Sequence, residues 1–179
     1  MIILDRDGVI NIDSEGFIKT EHEWRPLPGS LEAIVRLQLK GIPIAVATNQ
    51  SGISRGLLTE EDLHGMHAKM NRLLITQGGK AIEHIYYCPH DPSEICLCRK
   101  PLPGMVQNIL RDLQKRPEEA IMVGDSLRDI QAAQSCGVRA VLVQTGKGRW
   151  TEAQYAEDLR DVPIYKDLGA VVESLICAI

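Results

Sequence analysis

Short apolar segments that alternate with stretches of helical periodicity constrain this 179-residue chain more than any other feature. The strand-like segments are Ile2–Leu4, Ile44–Ala47, Ile82–Tyr87, Ala120–Val123 and Ala140–Val143, with a short edge strand expected at Val162–Tyr165. Between them the spacing predicts helices over Leu31–Leu39, from Thr59 through Leu74, over Gly104–Lys115, from Ser126 to just before Gly137, and over Leu168–Ala178. The second helix opens on Thr59-Glu60-Glu61-Asp62, a threonine cap followed by acids that suit the helix dipole. Its apolar positions, Leu63, Met66, Met70, Leu73 and Leu74, recur at helical spacing. Strands alternating with helices argue an α/β fold with a central parallel sheet covered on both faces.

The length suits a single domain, 1–179, able to bury about 70% of its unfolded surface. A formal charge of −4 and the lack of a Lys/Arg-rich run give no reason to expect nucleic-acid or membrane attraction. No segment approaches the roughly 20 apolar residues that cross a bilayer. The chain starts directly on a core-like strand, so no signal peptide is expected. Of five cysteines, three crowd into Cys88–Cys98, which suits a metal site in a reducing, cytoplasmic compartment better than a disulfide framework. Few aromatics and no heptad pattern favour a monomer.

Chemistry concentrates at the ends of the apolar segments. Asp5 and Asp7 follow the first and precede Gly8, at the end of the sheet where open α/β folds bind ligands. One carboxylate can attack phosphorus while the other carries a proton. Asp125 follows the fourth segment, and if the two strands are neighbours, Asp5 and Asp125 converge on a hard divalent cation. Asp129, one helical turn on, can support the metal or a nearby base. Thr48 and Asn49, ending the second strand, offer a hydroxyl and an amide to phosphoryl oxygens. Lys100 supplies positive charge where carboxylates and phosphate would otherwise repel. Three long loops, Asn11–Pro26, Gln50–Leu58 and Cys88–Pro103, leave the same end of the sheet and can crowd one pocket.

The last loop carries a second signal. Cys88, His90, Cys96 and Cys98 offer three thiolates and an imidazole within a short span, a complete tetrahedral set for a structural zinc ion. Such an ion would pin a polar loop and hold Arg99 and Lys100 in place. The plainer alternative is free thiols beside a surface histidine. Cys136 and Cys177 read as small core or interface residues, and His64 and His67 as parts of a surface helix face.

Asp5-Arg6-Asp7-Gly8-Val9-Ile10-Asn11, Thr48-Asn49, Lys100 and Gly124-Asp125 with Asp129 together resemble the haloacid-dehalogenase-like (HAD) phosphatases over nearly the whole chain. Thr48–Gly56, Cys88-Pro89-His90, Cys96–Pro101 and Thr145-Gly146-Lys147-Gly148 narrow the likeness to the subgroup of heptose-bisphosphate and histidinol-phosphate phosphatases. The resemblance implies a Rossmann-like three-layer α/β/α fold without a large cap domain, and a magnesium-dependent phosphatase acting on a small sugar bisphosphate. It implies release of the C7 phosphate of a heptose 1,7-bisphosphate, a step toward lipopolysaccharide core or related glycans. On that pattern Asp5 is the nucleophile and forms an aspartyl-phosphate, and Asp7 is the general acid and then base. Mg2+ is held by Asp5, the Asp7 backbone carbonyl and Asp125, while Thr48, Asn49 and Lys100 bind the transferring group. The pattern often has a basic residue after the metal-binding Asp, where this chain has Ser126.

For a bisphosphate, Arg99 is the candidate grip on the distal phosphate, with Arg55 and Lys147 as further cations. Asn11 and Gln50 are candidates to read sugar hydroxyls. The alternatives are histidinol phosphate as substrate, a polynucleotide 3′-phosphatase, and a zinc-supported binding domain without catalysis.

Overall fold

A computed structural model describes residues 1–177. Ala178, at the end of the last expected helix, lies outside the described residues. The elements are β1 (Ile2–Leu4), α1 (Ser30–Leu39), β2 (Ile44–Asn49), α2 (Glu60–Thr76), β3 (His84–Cys88), α3 (Gly104–Asp112), β4 (Ile121–Gly124), α4 (Leu127–Gln134), β5 (Arg139–Val143), α5 (Gly148–Gln154), β6 (Ile164–Tyr165) and α6 (Leu168–Cys177). The six strands form one sheet in the order β3-β2-β1-β4-β5-β6, with every pairing parallel.

The strand pleat divides the interior in two. Ile2 and Leu4 turn to one face and pack with Leu31, Ile34, Leu63, Met66 and Val172 of α1, α2 and α6. Ile3 turns to the other and packs with Met105, Ile109 and Ile130 of α3 and α4. Both sheet faces are therefore covered, which is why the strands read as continuous apolar runs rather than alternating ones.

Local chemistry sets the element ends. Thr59 accepts from the Asp62 N–H while the Asp62 carboxylate accepts from the Thr59 N–H, closing a capping box on α2. The third strand begins at His84, two residues later than expected. Ile82 instead satisfies its backbone on the Asn71 side chain, with its N–H 2.9 Å from Asn71 Oδ1. α3 stops at Asp112 because Gln114 takes a positive φ of 51° and the Lys115 N–H turns back to the Leu110 carbonyl, 2.8 Å away. The edge strand is shorter than expected, since Pro163 can accept from Leu142 but has no N–H to give.

Strand order reverses beside β1, with β2 on one side and β4 on the other. Leu4 pairs with Val123, and the Asp5 N–H continues the ladder to the Val123 carbonyl at 3.0 Å. This switch point delivers the residues after both strands to the same crevice.

Candidate active site

Asp5 leaves β1 and Asp125 leaves β4 side by side, and Asp129 rises from the first turn of α4 beneath them. One oxygen from each lies within 4.8 Å of the others. Asp125 is tightly gripped. Its Oδ2 accepts the Lys147 N–H at 2.8 Å, and its carbonyl accepts the Thr151 hydroxyl at 2.9 Å. A Cβ at either Gly8 or Gly146 would lie 2.1 Å from Asp125 Oδ2, and both glycines have positive φ. Thr145 locks this cradle by donating its hydroxyl to the Gly8 carbonyl at 2.6 Å.

Lys100 is the counter-charge. It is 2% exposed, and its Nζ lies 3.0 Å from Asp5 Oδ1, 2.5 Å from Asp129 Oδ1 and 2.6 Å from the Ala47 carbonyl. Asp129 turns its other oxygen to the N–H and hydroxyl of Ser126, which caps α4. The Asn49 side chain clasps Lys100 from both sides, donating to its carbonyl at 3.0 Å and accepting its N–H at 3.1 Å. Asn49 thus braces β2 against the loop that carries the cation. Burial, outweighing the pull of Lys100, pushes Asp5 up to about 7, with Asp129 and Asp7 adding to the rise. Burial and then the charges of Asp5 and Asp129 push Asp125 up to about 8. Against the opposing effect of burial, Asp129 and Asp5 hold Lys100 above its ordinary value. Three carboxylates against one ammonium leave two formal negative charges in a buried crevice. Hard oxygen donors with that surplus fit a divalent cation.

Asp7 sits apart from the trio. Arg6, only 1% exposed, holds it with Nη2 2.9 Å from both oxygens and Nε 3.2 Å from Oδ1. Asn11 donates to Oδ1 at 2.8 Å and Gln50 to Oδ2 at 2.7 Å. Burial opposes ionisation here, but Arg6 foremost, with Asn11 and Gln50, holds Asp7 below the usual carboxylate range. Asn11 is 0% exposed and does not face the cavity, so it supports Asp7 instead of reading a sugar hydroxyl, because its amide is spent on Asp7 and the Ile12 carbonyl. Gln50 lines the cavity, but its amide is shared between Asp7 and the Thr48 hydroxyl.

His67 corrects the expectation of a surface face: it is 6% exposed, turned under the crevice near Arg6. Burial first, then the Arg6 charge, lowers it to about 3, so it is neutral. His64 is exposed as expected, and Cys177 is exposed rather than buried. Arg6 and His67 were not legible as site residues, although a lone arginine between two strand-end acids is a signal for a buried ion pair.

All three long loops reach the cavity, which encloses about 430 Å³. Asp13, Ser14, Glu15 and Phe17 come from the first, Ser51 and Arg55 from the second, and Pro92, Arg99 and Lys100 from the third. The first loop is a flap anchored by the fully buried Trp24, while Lys69 donates to the Glu21 and Trp24 carbonyls at 2.6 and 2.8 Å. Lys147 pairs with Asp13 of the flap at 3.0 Å. Arg55 pairs with Asp91 at 2.5 Å and covers the Phe17 ring. Arg99 donates to the His90 carbonyl at 3.0 Å, and Arg128 of α4 completes the wall beside it.

The expected cysteine cluster is assembled. Cys98 Sγ lies 3.1 Å from Cys88 Sγ and 3.4 Å from His90 Nδ1, and Cys88 Sγ lies 3.4 Å from His90 Nδ1 and 3.9 Å from Cys96 Sγ. A tetrahedral ion with bonds of about 2.3 Å to sulfur sets sulfurs roughly 3.8 Å apart. Burial, then the neighbouring thiol of Cys98, pushes Cys88 up to about 12. The four side chains can hold one metal ion.

Comparison with known proteins places this geometry. A family profile described as HAD-hydrolase-like matches residues 97–171. The D-glycero-beta-D-manno-heptose-1,7-bisphosphate 7-phosphatase of Pseudomonas putida is 48% identical over 176 residues, covering 98% of this chain and 99% of the relative. The enzyme of the same name from Bordetella bronchiseptica is 48% identical over 178 residues, covering 98% and 97%. A crystal structure of D,D-heptose 1,7-bisphosphate phosphatase from B. bronchiseptica, complexed with magnesium and phosphate, superposes with a TM-score of 0.95 at 47% identity and covers 99% of this chain and 98% of that one.

Proposed function

Because the chain belongs to the D-glycero-β-D-manno-heptose-1,7-bisphosphate 7-phosphatase family of HAD-like hydrolases, we propose that it removes the C7 phosphate of that bisphosphate through a covalent intermediate on Asp5. It is a phosphoric monoester hydrolase, and the products are heptose 1-phosphate and phosphate. The observation that carries the reading is the convergence of Asp5, Asp125 and Asp129 around Lys100 at the sheet's switch point. The relatives' names specify the β anomer, which is the expected preference here, and they favour the heptose over histidinol phosphate.

Mg2+ is the catalytic cation, held by Asp5, the Asp7 carbonyl and Asp125; when bound it draws charge from the phosphoryl oxygens and lets an anionic carboxylate approach. The carboxylate of Asp5 attacks phosphorus. Lys100 favours the ionised form of Asp5 against the effect of burial and offers its charge to the phosphoryl oxygens, joined by the Thr48 hydroxyl and the Asn49 segment. Asp7 protonates the departing sugar alkoxide and then takes a proton from the water that cleaves the aspartyl-phosphate. The grip of Arg6, Asn11 and Gln50 holds Asp7 in its anionic form, the one the second step needs. An arriving phosphate, carrying negative charge close by, raises Asp7 toward the protonated form that the first step needs.

Arg99 grips the distal C1 phosphate. Cys88, His90, Cys96 and Cys98 would hold a structural Zn2+, which when bound would fix the loop from which Arg99 and Lys100 project. No helix among the described residues is long and apolar enough to cross a membrane, and we read the chain as a cytoplasmic monomer. The test is a direct assay of both heptose bisphosphate anomers and histidinol phosphate with added magnesium. The β bisphosphate is expected to give the highest kcat/KM, and Asp5→Asn is expected to abolish turnover. Undiminished turnover by Asp5→Asn would overturn the assignment.

A further inference from the structure

Six basic side chains line the cavity, and they divide by partner; the buried Arg6 is consumed by Asp7. Lys100 is consumed by Asp5 and Asp129, Lys147 by Asp13, and Arg55 by Asp91. Arg99 and Arg128 have no carboxylate within ion-pairing distance among the described residues. They come from different elements, the cysteine-rich loop and the first turn of α4, yet they line the same cavity wall. A shallow groove beside it is lined by both of them and by Lys100. The acid on that groove, Glu94, turns its carboxylate to the Asp91 N–H at 2.5 Å.

Two guanidinium groups that face one opening without counter-ions repel each other. Arg99 cannot retreat, because its Nη1 is tied to the His90 carbonyl. Such an arrangement is relieved when an anion with several oxygens sits between the two forks.

Resting on the function proposed above, we propose that Arg128 is a specificity-determining residue that shares the distal phosphate of the bisphosphate with Arg99. Arg55 and Lys147, already neutralised, hold the loops in place and contribute little to that phosphate. The experiment compares kcat/KM for heptose 1,7-bisphosphate with that for heptose 7-phosphate in wild type, Arg128→Ala, Arg99→Ala and the double variant. The ratio of the two values is expected to fall about 10-fold in Arg128→Ala, through KM, as suits loss of one charge-assisted contact facing solvent. The double variant is expected to lose less than the product of the single losses, since both side chains act on one group. An unchanged ratio in Arg128→Ala, an equal fall in kcat on both substrates, or fully multiplicative losses would each overturn the shared seat. A wild type with no preference for the bisphosphate would overturn the proposed substrate as well, so the two failures are distinguishable.

Discussion

A methyl group added at Gly146 should weaken the metal site without replacing a charged residue. Gly146 has φ +56°, and a Cβ there would lie 2.1 Å from Asp125 Oδ2 and 2.5 Å from Gly8 Cα. Real Cβ contacts do not fall below 3.0 Å, so the Asp125 carboxylate must give way by about 0.9 Å or the two loops must part. Magnesium demands bonds of about 2.0–2.1 Å in near-octahedral geometry and tolerates only about 0.2 Å of error. Disturbing such a support typically costs 10–100-fold in metal affinity, or about 1.4–2.8 kcal/mol. Gly41→Ala is the control: its φ is +70°, and nothing lies within 4 Å of the new Cβ. Both variants carry the left-handed penalty of roughly 1–2 kcal/mol, lowering Tm by a few degrees. Only Gly146→Ala should weaken binding in a calorimetric magnesium titration. Wild-type affinity in Gly146→Ala, or an equal loss in Gly41→Ala, would refute the cradle.

Asp7→Asn should still form some phosphoenzyme but turn over about 10²–10⁴-fold more slowly; intact-mass analysis after rapid quenching should reveal a phosphate adduct on Asp5, and its absence with full turnover would contradict the two-step role. The rise in Tm on saturating with magnesium should grow between pH 6 and pH 8. Asp5 and Asp125, raised to about 7 and about 8, keep protons in the metal-free fold that the unfolded chain has already released, so native stability from these two falls as pH climbs through that window. His67, lowered to about 3, acts with the opposite sign below about pH 6.5, which is why the metal-induced difference is the informative quantity. A difference that stays flat or shrinks would count against metal and protons competing for those carboxylates. Cys96→Ser should lower both the zinc content, expected at one per chain by elemental analysis, and the Tm, and should raise KM for the bisphosphate as Arg99 loses its anchor; full zinc occupancy in that variant would exclude Cys96 as a ligand.

The fold was legible because its inner strands β1, β2, β4 and β5 are buried on both faces, so each announces itself as an apolar run ending in a polar motif. Asp5 and Asp125 could be placed together because both follow such runs directly. α5 was not legible: Gly148–Gln154 buries only Gly148 and Thr151 and carries no apolar stripe. Burial of His67 was hidden for a related reason. Its neighbours Leu63, Met66 and Met70 mark the core side of α2, but only the position of Arg6 shows that a polar residue on the edge of that stripe is covered as well. Asn11 and Gln50 carry side chains that suit sugar hydroxyls, yet both amides turn inward to Asp7. Which of several surface cations keeps a free charge depends on pairs such as Lys147 with Asp13, which lie far apart in sequence. Spacing alone holds no record of such partners.

The account rests on one cation bridging acids from two strands. Crystals soaked in Mn2+ and measured for anomalous scattering would locate that ion directly. A single strong peak in the crevice, within about 2.0–2.3 Å of an oxygen of both Asp5 and Asp125, is the predicted result. A peak bound by Asp125 and Asp129 with Asp5 out of reach, or no peak in the crevice at all, would contradict it.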